Sequence, residues 1–228
     1  MSSNRIVCLP GFGFKADIFY GLRLPYKNIL SLNWAELRPI NLDRVTEYLA
    51  ENIQDDSIIM AWSLGGIYAL NLINHYPLKC RKLILINTTP KLLADDNWPG
   101  ISLLEAQLFK EKISVNFNYF LALVQFPNKE LGIRKILAEN LYLNKCNRVS
   151  MLLYLELLFS ADLKKGYDTL KVKTLHILGD CDPLVKIEAF KNENNPNVKI
   201  NLIKGAGHIP FLTHPRKFLI AVQSFIDE

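Results

Sequence analysis

Short apolar runs rich in β-branched residues recur along the chain, and most are separated by segments whose apolar residues repeat every three or four positions. Arg5 to Leu9, Ile29 to Leu32, Ser57 to Ala61, Lys82 to Ile86, Thr174 to Leu178 and Val198 to Ile203 read as strands. Several are apolar on both faces, as a strand must be when helices cover a parallel sheet on either side. Leu42, Val45, Leu49 and Ile53 fall at helical spacing, and Leu64 to Tyr76 is apolar nearly all round until Pro77 stops it, which predicts a buried helix. Pro215 suits a first helical position, and Phe218, Leu219, Val222, Phe225 and Ile226 then form one face. Strands alternating with helices predict an α/β fold with a mostly parallel, doubly wound sheet of about six strands.

One region breaks the alternation. From about Pro90 to Tyr167 only helical patterns occur: Leu103 to Phe109, Ile113 to Phe126, Glu130 to Leu143 and Arg148 to Phe159. The stretch is too long and too apolar for a loop, and it falls between two strands. It reads as a helical lid, residues 90–167, inserted into a core made of residues 1–89 and 168–228.

Composition narrows the class. The 228 residues suit one domain with a full core, and half of them are apolar. The net charge of +5 is modest, with no dense basic block interleaved with aromatics, so nucleic acid is not an expected partner. Cys8, Cys80, Cys146 and Cys181 are scattered without the spacing of metal ligands, so no metal site is expected, and an organic cofactor is not expected either. The apolar run within Met1 to Pro10 is too short for a signal-peptide core, and no stretch approaches the roughly 20 apolar residues that cross a bilayer. A cytoplasmic, monomeric protein without a membrane partner is the expectation.

Three short segments carry chemistry. Ser63 lies in Ala61-Trp62-Ser63-Leu64-Gly65-Gly66, between a strand and the helix beginning at Leu64. A sharp strand-to-helix turn lifts a serine hydroxyl out of the sheet and crowds the backbone, so the residues two before and two after it must be small. Gly65 meets this, and Ala61 stands where Gly is usual. The helix also directs its N-terminal amides and positive dipole end at the reacting centre.

His208 follows Gly205-Ala206-Gly207, directly after the last strand. Flanking glycines let a loop present the ring, and an imidazole is the natural base for a serine hydroxyl at neutral pH. His75, His176 and His214 read as structural. Gly179-Asp180-Cys181-Asp182-Pro183 places an acid just beyond another strand, at the carboxyl edge where α/β sites are built. Either aspartate could orient the imidazole, and the other could brace the turn. Pro10-Gly11-Phe12-Gly13 follows the first strand, and its turn can aim a backbone amide at the point the Leu64 amide faces, forming an oxyanion hole.

Ser, then Asp, then His, each after a strand of one sheet, is the chain order of α/β hydrolases, and the chain resembles that superfamily over nearly its whole length. Leu9-Pro10-Gly11-Phe12-Gly13, Trp62-Ser63-Leu64-Gly65-Gly66 and His208-Ile209-Pro210-Phe211-Leu212-Thr213-His214-Pro215 most resemble the pimeloyl-[acyl-carrier protein] methyl ester esterases of biotin synthesis. The resemblance implies Ser63, Asp182 and His208 as a triad, with the Phe12 and Leu64 amides as the oxyanion hole. It implies a serine carboxylesterase that works through an acyl-enzyme, and acyl-carrier protein as the bearer of the substrate. Lys129, Arg134, Lys135, Lys145 and Arg148 outnumber Glu130 and Glu139 on the lid, which suits an acidic carrier. Trp62 and lid aromatics such as Phe117, Tyr119 and Phe120 are expected to line an acyl channel. Pro10 departs from the His usual before Gly11, and the first apolar run would be the third strand of the full fold. The same triad on another small ester, a thioester or a C–C bond stays open. A binding protein without turnover is disfavoured, because a pure binder has no need of all three groups.

Overall fold

The computed structural model describes residues 5–22, 24, 27–28, 41–142, 148–191 and 193–228. Among them six strands form one sheet: β1 (Ile6–Leu9), β2 (Lys27–Asn28), β3 (Ser57–Trp62), β4 (Cys80–Ile86), β5 (Lys173–Gly179) and β6 (Val198–Ile203). Their order is β2-β1-β3-β4-β5-β6, and every neighbouring pair is parallel. The expected strand Ile29 to Leu32 lies outside the described residues.

The registers bring the strand ends level. Leu9 pairs with Ala61, Trp62 with Ile86, Ile86 with Ile177 and Gly179 with Ile203. The loops after β1, β3, β4, β5 and β6 therefore emerge along one edge. The chain runs from β1 to one neighbour, β2, and then returns to the other, β3, so strand order reverses beside β1. A crevice at the carboxyl edge opens at such a reversal.

Helices cover the sheet. α1 (Leu42–Asn52) packs on α2 (Leu64–His75), which lies against β1, β3 and β4. α2 is buried from Leu64 through Ile73, in keeping with its all-round apolar sequence. Between β4 and β5 come α3 (Leu103–Val115), α4 (Phe117–Gln125), α5 (Leu131–Asn140), α6 (Arg148–Ser160) and the short α7 (Lys164–Asp168). After β6 come α8 (Pro210–Thr213) and α9 (Pro215–Asp227), the latter against β5 and β6. Lys82, one of two charged residues in β4, sends its Nζ to the carbonyls of Phe225 and Ile226 at 2.8 and 2.9 Å, where a cation meets the negative end of α9. No helix among the described residues is long and apolar enough to cross a membrane.

Two helical expectations change. The pattern Ile113 to Phe126 is broken at Asn116, whose backbone is extended (φ −149°, ψ 104°) and whose side chain accepts from the Asn118 amide. Asn at an N-cap competes for the backbone and starts a new helix where apolar spacing alone would continue the old one. α5 stops at Asn140, short of the expected Leu143, because Leu141 turns extended and pairs with Phe14. α7, only five residues long, carries too little periodicity to be read from sequence.

A buried polar string crosses the core. The Tyr167 hydroxyl, from α7, donates to His176 Nδ1 at 2.9 Å, and His176 Nε2 donates to the Thr88 carbonyl at 3.0 Å. Both nitrogens of a fully buried ring are thus satisfied by the neutral form. Burial lowers the His176 pKa from 6.5 to about 3. The unfolded chain therefore takes up a proton here as pH falls below 6.5, while the folded chain does not until about pH 3. The stabilisation is complete above pH 6.5 and is lost progressively toward pH 3. Chemical denaturation should show about 2 kcal/mol less stability at pH 5.0 than at pH 7.5 from this group, above the range where most carboxylates titrate. His176→Gln should lose that portion of the pH dependence; an unchanged slope would place the effect elsewhere.

Candidate active site

Ser63 directly follows β3 and caps α2, with φ 54° and ψ −120°. For a non-glycine residue this conformation costs about 1–3 kcal/mol and persists only where its surroundings impose it. Here they do. The Ser63 amide donates to the Ile86 carbonyl at 2.9 Å. The Ser63 carbonyl accepts from the Gly66 amide at 2.9 Å and from Thr88 Oγ1 at 3.1 Å. A Cβ on Gly65 would fall 2.5 Å from the Leu9 carbonyl oxygen and 2.7 Å from that of Pro10. The start of α2 is therefore pressed against the end of β1, which only a glycine permits. Ala61, fully buried, is small enough for the position two before the serine.

The turn after β1 passes beside the serine: a Cβ placed on Gly11 would lie 3.2 Å from Ser63 Cβ. Phe12 stands in that turn, and Leu64 is the first residue of α2. The two amides expected to stabilise an oxyanion thus belong to segments that flank Ser63.

His208 is 2% exposed, and its Nδ1 donates to Asp182 Oδ2 at 2.7 Å. Asp182 Oδ1 accepts from the amides of Leu184 at 2.8 Å and Val185 at 3.3 Å. Both carboxylate oxygens are engaged, in a place almost sealed from solvent. Asp180 turns elsewhere, accepting from the Gly205 amide at 2.6 Å and so tying the β5 loop to the β6 loop. With Nδ1 committed to Asp182, Nε2 is the nitrogen left to take a proton. The structure brings Asp182, not Asp180, to His208.

Ser63 and His208 line one cavity, with Phe12, Trp62, Phe120 and Val185 among its walls. It is largely apolar and small, about 40 Å³ in volume. Phe120 stands edge-on to Phe12, ring centres 5.5 Å apart. Phe117 packs against the core but is not part of the cavity wall, and Tyr119 lies at a separate surface depression over Lys112. His75 and His214 bond to Asn71 and Thr213, away from this centre. Of the basic residues expected on the helical segment, Lys129 and Lys135 are exposed, and Arg134 bonds to Asn118. Lys145 and the side chain of Arg148 lie outside the described residues.

Two features were not legible beforehand. Trp62, expected only to line a channel, also donates its Nε1 to the His208 carbonyl at 2.8 Å. Thr88 reaches the Ser63 carbonyl from the end of β4. The signal for the second was present in Asn87-Thr88-Thr89, a polar run placed immediately after an apolar strand at the carboxyl edge.

The arrangement holds a strained serine and a histidine on the wall of one apolar cavity, with a buried acid bonded to the histidine, which is the equipment for nucleophilic attack on an acyl group. Comparison with known proteins agrees in kind. The chain is 27% identical to a pimeloyl-[acyl-carrier protein] methyl ester esterase of Legionella pneumophila (strain Corby), covering 97% of this chain and 94% of that protein. It is also 27% identical to the protein of the same name from Wigglesworthia glossinidia brevipalpis, covering 99% and 95%. Among solved structures, an esterase from Exiguobacterium antarcticum superposes with a TM-score of 0.82 at 18% identity, covering all of this chain and 93% of that one. A hydrolase from Oleispira antarctica gives 0.84 at 15% identity, with coverage of 100% and 92%. These two likenesses speak for the fold alone. The model of the alpha/beta hydrolase family matches residues 5–222, and the chain belongs to that family.

Proposed function

We propose that this carboxylic ester hydrolase removes the methyl group from pimeloyl-acyl-carrier protein methyl ester through Ser63, His208 and Asp182. The observation that carries the mechanism is the 2.7 Å contact between a buried Asp182 and His208, which lines the same cavity as Ser63. The substrate is that for which relatives matching along nearly the full chain are named.

In this reading the Ser63 oxygen attacks the ester carbonyl while His208 Nε2 takes its proton. Asp182 holds the imidazole in the tautomer that leaves Nε2 free and stabilises the imidazolium that forms. Negative charge on the tetrahedral oxygen is met by the amides of Phe12 and Leu64. The imidazolium then protonates the departing methoxide, and methanol leaves an acyl-Ser63. Water, deprotonated by the same nitrogen, attacks the acyl-enzyme, frees the carboxylate and restores the serine. Trp62 and Phe120 flank the acyl chain. Residues 90–167 act as a lid over the core, and Lys129, Arg134 and Lys135 face the acidic carrier protein.

The small cavity favours a second reading, in which the same residues hydrolyse a short-chain ester. Assay of purified protein on pimeloyl-acyl-carrier protein methyl ester, beside p-nitrophenyl butyrate, separates the two. Demethylation that disappears in Ser63→Ala supports the full proposal. Turnover of the butyrate alone leaves the mechanism standing and removes the pimeloyl substrate. Asp182→Asn should lower kcat by about 10³- to 10⁴-fold on either substrate, since the amide favours the wrong imidazole tautomer. A loss below tenfold would mean that Asp182 does not serve the base.

A further inference from the structure

We infer that Asn87, the first residue after β4, is a positioning residue that sets His208 and Asp182 against each other; this rests on the triad reading and not on the identity of the acyl chain. Asn87 is fully buried and is among the residues that line the cavity. Its Nδ2 donates to the Gly207 carbonyl at 2.7 Å, and its Oδ1 accepts from the Gly179 amide at 2.8 Å. Its own amide donates to the Ile177 carbonyl at 2.9 Å.

The Gly207 carbonyl belongs to the peptide that leads into His208. The carbonyl of His208, in the peptide that leads out, accepts from Trp62 Nε1 at 2.8 Å. Both peptide planes that flank His208 are therefore fixed from outside their own loop, which sets its φ and ψ and so the direction of its Cα–Cβ bond. Asp182 then fixes the rotation of the ring. The loop cannot do this for itself, because Gly205 and Gly207 leave its backbone free. Gly179, held by the other end of the same carboxamide, opens the turn that carries Asp182.

The residue type is dictated at both ends. One short arm must present a donor to one loop and an acceptor to another, which a carboxamide does. An Asp lacks the donor, and a Ser or Thr has a single polar atom. The backbone at Asn87 has φ 40°, a region that Asn tolerates better than most residues. A misplacement of about 1 Å at a reacting group can cost about 100-fold in rate, so a clamp at this point acts on turnover rather than on substrate binding.

The test is a double-mutant cycle of Asn87→Gly with Asp182→Asn, read on p-nitrophenyl butyrate. Glycine removes both side-chain bonds and accepts the positive φ. We expect Asn87→Gly to lower kcat 10- to 100-fold with KM within threefold of wild type, and to cost less than threefold more when Asp182 is already Asn. An equal loss in both backgrounds, or a raised KM with unchanged kcat, overturns the inference. Should Asn87→Gly lack a cooperative unfolding transition, Asn87→Asp takes its place, keeping the acceptor for Gly179 and turning an oxygen toward the Gly207 carbonyl; the same two criteria apply. Labelling by a fluorophosphonate distinguishes the failures. Wild-type protein that is not labelled at Ser63 removes the triad and the clamp together. Ser63-dependent labelling with an additive Asn87 effect removes the clamp alone.

Discussion

Everything at the carboxyl edge depends on the close approach of α2 to the end of β1. Where Gly65 meets the carbonyls of Leu9 and Pro10 there is no room for a Cβ, and the turn between β3 and α2 has to close within one residue. That residue is Ser63, and its positive φ is the consequence. The local cost of about 1–3 kcal/mol is offset by the burial that the approach permits. α2 is covered almost along its whole length, and at about 25 cal/mol per Å² of apolar surface even two or three of its large side chains outweigh the strain. A serine that is unfavourable by itself is held in place by a helix that is favourable as a whole.

Apart from a few polar side chains such as His176 and Lys82, which spend their bonds within the core, the sheet interior is apolar. Strands β1 and β3 are buried at every residue. The polar side chains that reach Ser63 and the His208 loop stand where β4 ends, and the level registers put the strand ends side by side. The loop after β4 sits between the loops after β3 and β5, and it carries polar side chains that reach both ways: Thr88 to the Ser63 carbonyl, Asn87 to Gly179 and Gly207. Low local polarity strengthens each of these bonds and makes an unpaired partner expensive, so the loops are held together as one unit.

This division explains what could be read from the chain. Strand and helix positions follow from periodicity that is local, and the order of Ser63, Asp182 and His208 after three strands is visible because each lies at the end of an apolar run. Asp182 could not be separated from Asp180 by residue type or spacing. The choice depends on which carboxylate the turn directs at a histidine 26 residues away. The bond from Trp62 to His208 spans 146 residues, and that from Asn87 to Gly207 spans 120. No pattern within one segment records such a pairing. A Trp beside a serine reads as bulk, and an Asn after a strand reads as a turn. The break at Asn116 failed for the opposite reason: the apolar spacing was correct, and a single capping side chain overrode it.

The helical segment between β4 and β5 is joined to the same edge through backbone contacts. The Tyr142 amide donates to the Gly13 carbonyl at 2.6 Å, and the Lys15 amide to the Asn140 carbonyl at 2.9 Å, so the end of α5 is stitched to the turn that carries Phe12. At the other side a Cβ on Gly207 would fall 1.7 Å from the carbonyl oxygen of Phe126, just beyond α4. The segment thus abuts both the turn beside the serine and the loop that presents the histidine. Phe120, on α4, closes the cavity between those two seams. The segment that lends Phe120 to the cavity wall therefore also touches the two loops beside Ser63 and His208. Any movement of the segment that widened the cavity would act on the turn beside Ser63 and on the peptide leading into His208.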